Sequence, residues 1–194
     1  MQFEYPAGAT PLDPDMAAGL IPNLTTQEEL NEFEARNIHE ANSWVRVARG
    51  SNRDILLLVT LRRLHARMFG LTWRWAGQFR TAETNIGISP AQIPMRIEQL
   101  CGNTRYQIEH SVFAWDELAV RFHHELVSIH PFPNGNGRHA RLATDILLER
   151  NGRQRFTWGS RSFIASSQVR QEYIEALRAA DGGDMGRLLR FVRT

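Results

Sequence analysis

HPFPNGNGRHAR, residues 130–141, decides how the rest of the chain is read. Apolar-periodic sequence runs up to it and resumes after it, and two prolines and two glycines crowd its middle, so one helix ends here and another begins. Gly135 and Gly137 can take backbone conformations closed to other residues and can turn several N–H groups toward one point. Such a nest at a helix N-terminus suits an anion, phosphate above all. Arg138 and Arg141 lie three apart, hence on one face of the following helix, where two forked guanidiniums can hold neighbouring phosphates. His130, ending the preceding helix, titrates near neutrality and can take a proton from a hydroxyl. The stretch reads as a site that holds a polyphosphate and activates a nucleophile against it.

The string is similar to the Fic family signature HxFx(D/E)GNGRxxR, with Asn134 standing where that pattern has an acid. The resemblance implies an all-α fold that transfers part of a nucleotide, most often AMP from ATP as its magnesium complex, to a Ser, Thr or Tyr hydroxyl of a target protein. It also implies that Asn136 serves as an anion hole, that Arg141 meets the terminal phosphate, and that Phe132 anchors the loop. The wording of residues 8–38, GATPLDPDMAAGLIPNLTTQEELNEFEARNI, further resembles the Fic subgroup called mobile mystery protein B, a bacterial group.

At 194 residues the chain is expected to be a single helical domain (residues 25–194) behind an N-terminal arm (residues 1–24) that Pro6, Gly8, Pro11, Pro14 and Gly19 keep irregular. Hydrophobic content of 42% is that of a globular protein. All 23 basic residues are arginine, against 21 acidic ones, and they are scattered; a net charge of +2 excludes a general nucleic-acid binder. One cysteine, Cys101, excludes an internal disulfide, and neither a secretion signal nor a run of about 18 apolar residues occurs, so a cytoplasmic protein without membrane attachment is expected.

Thr25 and Thr26 precede Glu28 and Glu29 with capping-box spacing and open a first helix over about residues 27–48. Gly50 ends it, and Asn52 or Asp54 caps a second that stops at Gly70. Residues 71–89, LTWRWAGQFRTAETNIGIS, lack a helical period and predict a short β-hairpin. The family resemblance makes that hairpin a flap over the site, whose edge, Thr81, Ala82, Glu83, Thr84, Asn85, Ile86 and Gly87, grips the target by strand addition. Further helices follow over about residues 94–110, 116–130, 137–150, 166–180 and 184–192, giving about seven helices with one hairpin.

Asn134 offers magnesium a neutral oxygen where a carboxylate is usual, so the metal is expected to bind mainly through the nucleotide, with Asn134 a weak or water-mediated ligand. His123, His124, His130 and His139 lack the spacing of a zinc site. Many Fic proteins carry an inhibitory (S/T)xxxE(G/N) sequence whose glutamate pairs with the second motif arginine. Only Glu29 matches in part, through Thr25, and Leu30 follows it. The capping box explains the same residues, which leaves inhibition through Glu29 and inhibition by an antitoxin-like partner both open. Two rival functions remain beside AMP transfer: moving another phosphate-linked group or phosphate itself, and holding a nucleotide without chemistry as half of a toxin-antitoxin pair.

Overall fold

Thr26 starts the first helix as its spacing requires: its N–H donates to the Glu29 carboxylate (3.0 Å) and its hydroxyl accepts from the Glu29 N–H (3.1 Å). The computed structural model describes residues 18–24, 26–47, 54–159 and 167–194; most of the expected arm, with Thr25, Gly50, Asn52 and Ser166, lies outside them. Among the described residues the chain forms seven helices and no strand: α1 (Gln27–Val47), α2 (Leu58–Phe69), α3 (Ile93–Glu109) behind a 3-10 turn (Pro90–Gln92), α4 (Trp115–Ile129), α5 (Asn136–Arg150), α6 (Ser167–Asp181) and α7 (Met185–Phe191). The all-α expectation and its helix bounds hold to within a few residues, except that Asp54 caps the turn before α2, accepting from Leu56 N–H (2.9 Å), while α2 itself begins only at Leu58.

Two apolar clusters meet at α4. Leu118, Phe122, Leu126 and Ile129 face the larger one with α2, α3 and α5, whereas Ala119 and Val120 face a smaller one built from Phe156, Trp158, Tyr173, Leu188 and Phe191. α5 is shared in the same way, with Leu142, Ala143, Ile146 and Leu147 on one side and Leu148 on the other. The motif turn therefore joins the two helices that both cores clamp, and it has little freedom to move.

The expected hairpin is not formed. Residues 71–89 run as turns and bends, and the isolated bridge found among the described residues joins Leu20 to Trp73. The reason is where the hydrogen bonds go. Arg80 N–H donates to Pro131 O (3.0 Å) and Ile88 N–H to Ile129 O (3.4 Å), so this segment pairs with the end of α4 rather than with itself. Inside the loop, the Arg80 guanidinium holds the carbonyls of Ala82 and Ile88, filling the space a partner strand would need. Residues 81–87 are left mostly exposed above the motif turn.

The capping box gives Glu29 a structural task. Thr26→Ala should lower unfolding stability by about 0.5–2 kcal/mol, the usual effect of losing a cap, and Glu29→Ala should lower it too, both read as a shift of the urea midpoint at unchanged slope.

Candidate active site

α4 ends at Ile129, and His130 follows in the left-handed region (φ 53°, ψ 59°), which turns the chain sharply out of the helix. A side-chain-bearing residue there is strained. Arg80 holds it: Nε donates to His130 O (2.7 Å), and Nη2 reaches Ile129 O (3.5 Å) and Ile88 O. One fork thus satisfies carbonyls that the end of α4 leaves without helical partners. His130 is 6% exposed. Burial first, and the Arg80 charge second, lower its pKa to about 4, against a hydrogen bond at the Val127 backbone that works the other way. The ring is neutral at pH 7 and can accept a proton.

Phe132 is wholly buried and stacks on His65 (ring centroids 3.8 Å apart), with His139 edge-on at 5.0 Å. His65 Nδ1 accepts from Gly77 N–H (2.9 Å), which leaves Nε2 protonated to donate to Asn134 O (3.1 Å). His65 therefore ties α2 and the 71–89 segment to the motif loop. The Asn134 side-chain oxygen accepts from Gly135 N–H (2.5 Å). Gly135 takes φ 77°, and a Cβ there would meet the Phe69 ring at 2.6 Å, so only glycine fits. Gly137 differs from expectation, lying inside α5 with helical geometry, where a Cβ would stand in ordinary contact with Tyr173, 3.6 Å from its hydroxyl.

The first helical bond of α5 runs from His139 N–H to Gly135 O (2.9 Å), so the N–H groups of Asn136, Gly137 and Arg138 precede it, and no side chain caps them. These are the donors that the sequence expectation assigns to an anion nest. Asn136 closes its floor: Oδ1 accepts from Phe132 N–H (2.9 Å) and Nδ2 donates to Phe132 O (2.8 Å). That use takes one of the two amide hydrogens, so Asn136 is a loop staple before it is an anion donor.

The two motif arginines part company. Arg138 Nη1 is 2.5 Å from the Glu34 carboxylate, with its guanidinium 4.9 Å from the Phe69 ring; Glu34 also accepts from Trp73 Nε1 (2.6 Å). Arg141 is 6% exposed, stands 4.1 Å over the Tyr173 ring, has an Nε without a hydrogen-bond partner, and meets no carboxylate among the described residues. The acid of α1 that reaches a motif arginine is therefore Glu34, on Arg138, while Glu29 sits at the helix start. His123 bonds Tyr173 (2.9 Å), His124 bonds Asp181 (2.8 Å) and His139 bonds Leu61 O (2.9 Å), each in a different direction.

The model of the Fic/DOC family matches residues 56–148, which spans α2 to α5 and the whole motif turn. Over residues 56–148 the chain matches the Fic/DOC family. Among curated relatives, protein adenylyltransferase fic-1 of Caenorhabditis briggsae is 32% identical over 120 residues, 60% of this chain and 22% of that protein. Protein adenylyltransferase Fic of Culex quinquefasciatus is 28% identical over 167 residues, 82% and 31% of the two. The chain thus spans between a fifth and a third of these relatives. Among solved structures, Fic-1 of C. elegans superposes with TM-score 0.69 at 23% identity, covering 90% of this chain and 51% of that one. BepC of Bartonella tribocorum, solved with AMPPNP, gives 0.67 at 18% identity, covering 93% and 98%. The Fic fold is shown by this likeness. No helix among the described residues is long and apolar enough to cross a membrane.

Arg80 and His65, inside the matched residues, and Glu34, before them, were not singled out from the sequence. His65 and Glu34 did leave a signal: each interrupts an apolar stripe, His65 beside Leu61, Leu64 and Met68, Glu34 between Leu30 and Ile38.

The buried imidazoles predict acid sensitivity. His123 (to about 3), His130 (to about 4) and His139 (to about 4) are all lowered from 6.5, chiefly by burial. The unfolded chain takes up protons as pH falls through 6.5 and the folded one does not, so their contribution is present above 6.5 and is lost down to about 4. Asp145, raised from 3.8 to about 7 by burial, acts oppositely: its contribution is present below 3.8 and lost by about 7. Burial lowers His65 as well, and one carboxyl against four imidazoles leaves the histidines dominant. Melting temperature should fall steadily from pH 7 to pH 4.5; a rise over that interval would show that the rings are not buried neutral.

Proposed function

We propose that this protein transfers AMP from ATP to a serine, threonine or tyrosine hydroxyl of a target protein. The observation that carries the reading is the pairing of His130, neutral and fixed at the end of α4, with the uncapped N-terminus of α5 and the uncompensated Arg141. The target hydroxyl oxygen attacks the α-phosphorus, the bond to the oxygen bridging the α- and β-phosphates breaks, and pyrophosphate leaves. His130 receives the hydroxyl proton as general base. The N–H groups of Asn136 and Gly137 and the remaining amide hydrogen of Asn136 stabilise charge on the α-phosphate, and Arg141 with Arg138 orients the leaving pyrophosphate. Exposed residues 81–87, ending next to the Ile88 bond to α4, are the proposed docking edge for the target, bringing its hydroxyl opposite His130.

Magnesium belongs to the proposal as the partner of ATP. The described residues offer it only Asn134, whose side-chain oxygen is neutral and already accepts from Gly135 N–H, and they contain no cluster of three His, Cys, Asp or Glu. These donors do not make a metal site by themselves, so the nucleotide phosphates would hold the ion. The same departure keeps a second reading open, transfer of another phosphate-linked group or of phosphate. A role as the nucleotide-binding half of a pair with an antitoxin-like partner is the non-catalytic alternative. Membership of the mobile mystery protein B subgroup rests on residues 8–38, and a cytoplasmic setting accords with use of ATP.

Mass spectrometry of targets labelled in a lysate with ATP separates added AMP, added phosphate and no addition. His130→Ala should lower AMP transfer by about a hundred- to ten-thousand-fold with ATP affinity nearly unchanged, while Arg141→Ala should weaken both. A His130 variant that keeps more than about a tenth of the parental rate refutes the base assignment.

Asn134→Asp should lower the magnesium concentration for half-maximal transfer by placing a charged oxygen beside the phosphates. An unaltered magnesium titration would exclude Asn134 from the metal's surroundings.

A further inference from the structure

Arg170 lies in the first turn of α6, three residues before Tyr173 and so on the same helix face. Tyr173 is the ring beneath Arg141 (4.1 Å), and its hydroxyl is 3.6 Å from the point where a Gly137 Cβ would stand. That face of α6 therefore looks onto the start of α5. Arg170 is half-buried there, and the charges of Arg138 and Arg141 both act on it, adding to burial in disfavouring its own charge. Three conditions oppose a cation at this position: partial burial, two neighbouring guanidiniums, and the positive end of the α6 dipole. Arg138 is compensated by Glu34. Arg141 and Arg170 are compensated by no carboxylate among the described residues. Two cations held together in this way, over two helix N-termini, call for an anion of more than one charge between them.

We propose that Arg170 is a third phosphate-binding residue, acting with Arg141 on the outer phosphates of the nucleotide and so making the site prefer a triphosphate to a monophosphate. This deepens the nucleotide reading above and rests on it. A monophosphate reaches the α5 nest alone, whereas a triphosphate extends to the pair of uncompensated guanidiniums. Arg170 thus contributes to the charge preference of the site rather than to the proton transfer at His130.

Calorimetry on the full chain tests this with ATP, AMP and inorganic pyrophosphate as titrants against the parent, Arg170→Ala, Arg170→Gln and Arg170→Lys. The Ala and Gln variants should lose about ten-fold in affinity for ATP and pyrophosphate, as for one charge-assisted contact, and under about two-fold for AMP. The Lys variant should keep most of the parental preference because it keeps the charge. Equal losses for ATP and AMP, or no loss for ATP and pyrophosphate in a variant that melts like the parent, overturn the proposal. A parent that binds pyrophosphate but neither nucleotide would refute the nucleotide reading alone, since the pyrophosphate arm still reports on Arg170. A parent that binds none of the three overturns both.

Discussion

The fork of Arg80 on the carbonyls of Ile129, His130, Ala82 and Ile88 is the contact through which the site is assembled. A helix end exposes carbonyls that need donors, and a turn as sharp as the one after α4 cannot supply them from its own backbone. One planar side chain with five N–H groups can. Because the same guanidinium also closes the 80–88 loop, the placement of His130 and that of the exposed edge above it are a single event. A change in the loop is transmitted to the imidazole through one hydrogen-bonded group rather than through a long path.

Around that contact the protein spends buried polarity to fix geometry. His65 uses both ring nitrogens on backbone groups 57 residues apart, and Asn136 uses both ends of its amide on Phe132. Each is satisfied and wholly or nearly buried, the condition under which polar groups specify one arrangement instead of weakening the core. The nest on α5 is the counterpart, a set of donors left unsatisfied within this framework. Rigid surroundings and open donors are what the proposed anion site requires.

Much of the architecture was legible because local signals agreed with global ones. The Thr26–Glu29 box, the glycine stop after Phe69 and the apolar stripe of α4 each state a boundary or a face, and helix bounds followed. The 71–89 segment was not legible for a physical reason: alternation of aromatic and polar residues reports that backbone is extended and half-covered, but not what it bonds to. Its partner proved to be the end of α4. Within the motif, the residue types suggest the chemistry proposed above, yet the separate environments of Arg138 and Arg141 depend on Glu34 and Tyr173, which lie 104 and 32 positions away in sequence. Glu34, one of two acids inside NEFEARN, gives no sign of which arginine it will meet, beyond its place on the buried face of α1.

The left-handed conformation of His130 also has a meaning for how the protein trades durability against use. Any side chain with a Cβ is disfavoured at φ 53°, by about 1 kcal/mol or more relative to glycine. The scaffold alone would be better served by glycine at that corner. A histidine kept there holds the proposed base at a helix break at the expense of thermal endurance, so screens that select only for heat resistance would drift toward replacing it and would yield hardier molecules stripped of that proposed base.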